Sequence, residues 1–224
     1  MHPPTYASCP QKGKILEYYA GQFEAVYILL HPFIRPTQLD IERFYPETYP
    51  SKLEILQGTE PILWKRIQKE LSLDSLAPID VALRTMIHAL RREVEDKVLA
   101  KGLLTYLDER GLVMPGEGYV PAQIENGVYE ALMRLGYESI WLGDEFGTEQ
   151  QQYRLKDLLQ EDNMYCHGCA FTNNHKILLT THWDSHCSYL CSSQTVIEQI
   201  LRNSPMEGFY CSQKTEVYWG LYEI

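Results

Sequence analysis

A chain of 224 residues with 45% hydrophobic and 22% charged residues is long and apolar enough to bury a core without disulfides or a cofactor, which argues against the disordered and fibrous classes. Its formal net charge of -10 argues against a general binder of nucleic acid or of anionic membranes, since such proteins gather Lys and Arg against phosphates. A basic partner is compatible with it.

AVYILL at Ala25 to Leu30 is far shorter than the roughly 18 apolar residues that span a bilayer. The start, MHPPTYASCPQKGK, lacks the basic and then apolar pattern of a secretory signal. The expectation is a cytoplasmic protein whose cysteines stay reduced, as buried small apolar groups or as metal ligands.

In chain order, residues 1–13 read as an irregular lead-in. FEAVYILLHPFI from Phe23 is β-branched and aromatic with both parities apolar, the pattern of an internal strand covered on two faces. Three prolines make Arg35 to Pro50 a loop, and its aromatics Phe44, Tyr45 and Tyr49 are expected to pack down on a core. Ser51 with Glu54 is a capping-box pair for a short helix ending at Gly58. Pro61 opens the next helix by the first-turn rule.

The longest helical pattern starts near Pro78. Ile79, Leu83, Met86, Leu90, Val94 and Val98 recur every three or four residues, with Arg84, Arg91, Arg92 and Glu95 assigned to the other side. A break is expected near Gly102, and His88 falls off the apolar stripe. GLVMPGEGYVP is the most plausible internal hinge. A helix from Ala122 to a stop at Gly136 follows, then a strand at YESIWL. Helix, glycine and strand give the rhythm of an α/β unit. Asp144 and Glu145, on the glycine-bounded loop after that strand, are therefore the first candidate ligand-binding residues, because open α/β sheets bind ligands at the carboxyl ends of strands.

After a short helix at RLKDLLQ, the C-terminal unit reads β-β-β-α-β-β: strands over 164–171, 176–183 and 186–191, a helix capped by Ser192 or Ser193, then GFYCS and EVYWGLY. From Tyr165 onward it holds five of the six cysteines and four of the seven histidines. Cys166 and Cys169 are spaced CxxC and Cys187 and Cys191 CxxxC, which resembles a four-thiolate zinc site. On one strand, however, Cys187 and Cys191 stand roughly 13 Å apart, too far to share an ion with thiolate bonds of about 2.3 Å. With Tyr189 they read as one core face of small apolar thiols. Zinc remains the alternative cofactor, on Cys166, Cys169, His175 and His182. His182, Asp184 and His186 alternate at the second hairpin, which makes His182 and Asp184 further ligand-binding candidates. Asp184 and Ser185 form the turn, and the flanking histidines are expected at the surface.

LLHPF, EILQGTEPILWK, IWLGDEFG, HWDSHCSYL and EGFYCSQKTEVYW together resemble an uncharacterised family from Bacillus and related bacteria, of the YwbB-like type, over about Phe23 to Tyr222. The resemblance implies no activity and no catalytic residue. The ending is also similar to small bacterial immunity-type, SMI1-like proteins, which implies a binding role.

The reading is an α/β or α+β protein, helical in its middle third, with a mixed β-sheet completed by a C-terminal β-β-α-β-β segment. It forms one domain over 1–224, divisible into a mainly helical part, 1–115, and a sheet-forming part, 116–224. The expected function is non-enzymatic binding of another protein, with aromatics Tyr45, Tyr49 and Trp219 exposed for it. The alternative is a zinc-binding protein or metal-dependent hydrolase, and a third is an enzyme with its cleft at Asp144 and Glu145.

Overall fold

The computed structural model describes residues 8–144, 149–160, 168–202 and 204–222. Among them the elements run α1 (Ile15–Tyr18), β1 (Ala25–Leu30), β2 (Phe33–Pro36), a 3-10 turn (Ile41–Phe44), α2 (Lys52–Gly58), β3 (Thr59–Ile62), α3 (Trp64–Glu70), α4 (Ala77–Met86) and α5 (Lys97–Arg110). There follow α6 (Ala122–Arg134), β4 (Ser139–Gly143), β5 (Gln150–Arg154), α7 (Leu155–Leu158), β6 (Cys169–Phe171), β7 (Leu178–Thr181), β8 (Cys187–Ser192), α8 (Gln194–Leu201), β9 (Glu207–Tyr210) and a last 3-10 turn (Trp219–Leu221).

Seven strands form one sheet in the order β5-β4-β6-β7-β8-β1-β9, and every pairing in it is antiparallel. The protein is therefore α+β, and the helix, glycine and strand rhythm belongs to no parallel unit. β1 sits between β8 and β9, so the N-terminal part supplies an interior strand to the sheet assigned to residues 116–224.

Both faces of the sheet are covered, which is why β1 and β8 are apolar in both parities. Val26, Ile28, Leu30, Cys187, Tyr189 and Cys191 turn to a core built with Trp64, Ile67, Leu83, Leu103 and Trp219 from α3, α4, α5 and the last turn. Leu29, Ile140, Leu142, Leu179 and Leu190 turn the other way, against Val128 and Leu132 of α6, Leu155 of α7 and Ile197 and Ile200 of α8. Cys187, Tyr189 and Cys191 thus share one core face, as their alternation requires.

Local signals explain several element ends. Ser51 and Glu54 form the full capping box at the start of α2. Gly136 stops α6 at φ +89, with Tyr137 and Gly136 donating back to Leu132 and Met133, the paired bonds of a Schellman end. Pro61 does not open a helix: it lies in β3 opposite Ile34, an edge ribbon where its missing N–H costs nothing, and α3 begins at Trp64. The long central helix breaks at His88 and not at Gly102. His88 takes φ +59, and Ala89 and His88 donate to Arg84 and Thr85, so α4 ends there and a new helix starts on Asp96, which caps Val98 and Leu99. Val94 and Val98 leave the core stripe with it and are exposed.

Four further readings change. GTEQQQYR contains β5, an exposed polar edge strand that hydrophobic periodicity does not register. EVYWGLY is no strand; it makes one bridge, Glu216 with Lys14, and then the 3-10 turn. Trp219 is fully buried against Trp64 and Phe209. Arg84, assigned to the solvent side, is fully buried as well.

Candidate functional site: the tip between β7 and β8

Residues 182–186, HWDSH, connect β7 to β8, and buried polar groups from elsewhere hold their backbone. Arg84 of α4 bonds Asp80 through Nε at 3.0 Å to both carboxylate oxygens. Its remaining nitrogens donate to the carbonyls of Asp184 at 2.7 Å and Val217 at 3.0 Å, and its guanidinium lies 4.8 Å from the Tyr218 ring centre. His182 Nδ1 accepts the Asp184 N–H at 3.1 Å, which leaves the proton on Nε2. His186 Nδ1 donates to the Pro115 carbonyl at 3.1 Å, and Ser185 Oγ lies 3.0 Å from the Cys187 sulfur. The loop 115–118 is clasped to the same tip. Gly118 N–H donates to the Ser185 carbonyl at 3.1 Å, and its φ of +73 and a Cβ position 2.9 Å from the Trp183 carbonyl leave room for glycine alone.

Deeper, His31 follows β1 and bridges the layers. Its Nδ1 donates to the Gly116 carbonyl at 3.0 Å, its Nε2 accepts from Ser188 Oγ at 2.7 Å, and Ser188 meets Thr181 Oγ1 at 2.5 Å. The Ser188 and His31 contact has the spacing of a nucleophile and its base. Both side chains are fully buried, and burial lowers His31 to about 3, so the pair is shut off from solvent and the imidazole stays neutral, with one ring proton, at neutral pH. Burial, with the charge of Arg84 added, likewise lowers His182 and His186 to about 4. The network fixes a backbone; these buried atoms present no reacting group to solvent.

What the network displays is Trp183, 56% exposed. Glu117 is exposed beside it and Asp184 half-buried. Partial burial and the charge of Asp184 raise the Glu117 carboxyl above its usual range. Among the described residues neither carboxylate has an ion-pair partner.

The residues singled out in the sequence fall in different places. His182 and Asp184 meet at this tip, with the histidines buried and not at the surface, because Arg84 and the 115–118 loop cover them. Asp144 follows β4, its N–H donating to the Glu149 carbonyl at 3.1 Å and its Oδ1 accepting the Glu149 N–H at 3.3 Å across the β4 and β5 hairpin; the antiparallel sheet removes the reason for expecting a ligand there. Glu145 and Cys166 lie outside the described residues. Cys169 is buried in β6, its sulfur 3.6 Å from the carbonyls of Gly143 and Asp144. His175 is exposed at the turn before β7 and His182 follows its far end, so about 20 Å of strand separates them. Among the described residues no three His, Cys, Asp or Glu side chains are grouped to hold a metal ion. Sequence reasoning missed His31, Arg84, Glu117 and Trp183. Asp80 and Arg84, four apart on a face otherwise made of Ile79 and Leu83, carried the one available signal, an ion pair able to enter the core together.

A family profile described as Protein of unknown function (DUF2711) matches residues 11–221. The chain belongs to the DUF2711 family. No curated protein and no solved structure matches this DUF2711 chain. Among its described residues no helix is long and apolar enough to cross a membrane.

Proposed function

We propose that this DUF2711 chain is a non-enzymatic, cytoplasmic protein-binding module of bacterial origin, serving an immunity or stress role, and that it engages its partner through the Trp183 tip. The observation that carries the reading is a large exposed indole on a turn whose backbone is held by a buried arginine, two buried histidines and a glycine clasp. Buried polar groups are costly unless satisfied, and the bonds of Arg84, His182 Nδ1 and His186 Nδ1 to the tip and its clasp favour one backbone conformation. A rigid aromatic anchor loses little entropy on association, which is how hot spots of binding are made. The carboxylates of Glu117 and Asp184, without an ion-pair partner among the described residues and on a chain of net charge -10, favour a basic surface on the partner.

The test is retention of proteins from the source cell on immobilised wild type and on Trp183→Ala. A protein retained in stoichiometric amount by the wild type and lost by the variant, with thermal unfolding unchanged, supports the reading. Identical retention by both, or none by either, overturns it.

A further inference from the structure

Away from the tip, a cavity of about 160 Å³ opens between α4, α5 and the turn that ends α3. Leu71, Leu73, Ile79, Leu99, Gly102 and Leu103 are among its walls, and no polar side chain lines it. Two local features shape it, each at a cost in local stability.

Gly102 is the first. It lies in the interior of α5, where glycine is destabilising relative to alanine. Its backbone is not left-handed, and a Cβ built on it meets nothing within 4 Å, so neither conformation nor crowding calls for glycine. The effect of the missing side chain is an open groove. Ser72 is the second. It adopts φ +55, a conformation glycine takes without strain and serine does not. Ser72 and Leu73 donate back to Lys69 and Gln68, and the Gln68 side chain donates to the Leu73 carbonyl. This reversal puts Leu71 and Leu73, on either side of Ser72, into the same cavity wall.

We infer that this cavity binds a small uncharged apolar molecule of benzene size. Side chains that are all apolar offer no partner to a charge, which would enter at a large cost of desolvation. The volume matches the class of ligand, since an apolar cavity of about 150 Å³ takes up benzene, and the groove's opening to solvent at Val98 and Gly102 gives such a molecule a way in. The mouth fits a small molecule better than a partner's face. Val98, 83% exposed, stands there, but Asp74, Lys97 and Lys101 around it are charged and exposed, without the apolar ring that excludes water from an interface.

The experiment is a titration of the full chain with benzene, followed by methyl NMR at Leu71, Leu73, Leu99 and Leu103. Saturable shifts of these methyls are expected, with benzoate and benzylammonium binding at least tenfold more weakly. Gly102→Leu fills the groove and weakens benzene at least tenfold. Should that variant not fold, Gly102→Ala, whose methyl meets open space, serves instead and weakens it at least threefold. No shift of these methyls up to the solubility of benzene, equal binding by the charged analogues, or undiminished binding by the folded variant overturns the inference.

Discussion

Arg84 grips both carboxylate oxygens of Asp80 at 3.0 Å, one helical turn away, with the two side chains 0% and 1% exposed. Burial pushes the Asp80 carboxyl above its usual range and Arg84 opposes that shift. The pair is buried because the same guanidinium also closes the Asp184 and Val217 carbonyls, joining α4 to the tip and to the last turn.

Removing one partner of such a pair leaves an uncompensated charge. Arg84→Met is expected to cost about 3–5 kcal/mol, whereas replacing a whole buried pair with apolar residues is far less harmful. The double variant Asp80→Leu with Arg84→Met should therefore recover at least about 1 kcal/mol of that loss, read by urea denaturation. A double variant no more stable than Arg84→Met would show that the arginine acts through the two carbonyls alone.

Protonation of the buried histidines sets a pH dependence. His31 is lowered to about 3, and His182 and His186 to about 4, from an ordinary value of 6.5. Between those values the unfolded chain binds protons that the folded chain refuses. Their contribution is complete above the unfolded value of 6.5 and is lost as the pH falls toward 4, with a slope on the order of 1.4 kcal/mol per pH unit for each histidine. Asp80, Glu117 and Glu207, all raised by burial, act in the opposite sense, so the useful quantity is a difference. His186→Asn keeps a donor for the Pro115 carbonyl and removes the titration. Its stability should fall with acid by about one proton less than the wild type between about pH 4.5 and 6.5; parallel curves would contradict the burial of His186.

The thiols should be inert. Burial pushes Cys169 up to about 12 and raises Cys187 and Cys191 as well. Alkylation at pH 8 mapped by mass spectrometry should label these three at least about a hundredfold more slowly in the native protein than in urea, since the thiolate is the reacting species. Equal rates in the two conditions would place the thiols outside the core.

Much of the fold was legible where the chemistry is local. The capping box at Ser51, the glycine stop at Gly136 and the shared face of Cys187, Tyr189 and Cys191 follow from short-range rules. A helix end was missed where another residue takes the glycine role: His88 adopts a left-handed backbone that nothing in its identity announces. The place of β1 in the sheet was hidden because its partners β8 and β9 are separated from it by most of the chain. The tip was half legible. His182 and Asp184 stood out by their spacing, while Arg84, Glu117 and His31 reach it only through tertiary contacts, and the exposure of Trp183 depends on what covers its neighbours.

The central claim is that the rigid Trp183 tip is the binding surface. Hydrogen exchange with and without the protein captured by the wild-type chain tests it most directly. The account predicts that the partner further slows exchange at 115–119 and 182–186 and leaves α6 and α8 on the far face unchanged. Protection confined to another surface, with the tip exchanging as in the unbound chain, would contradict it.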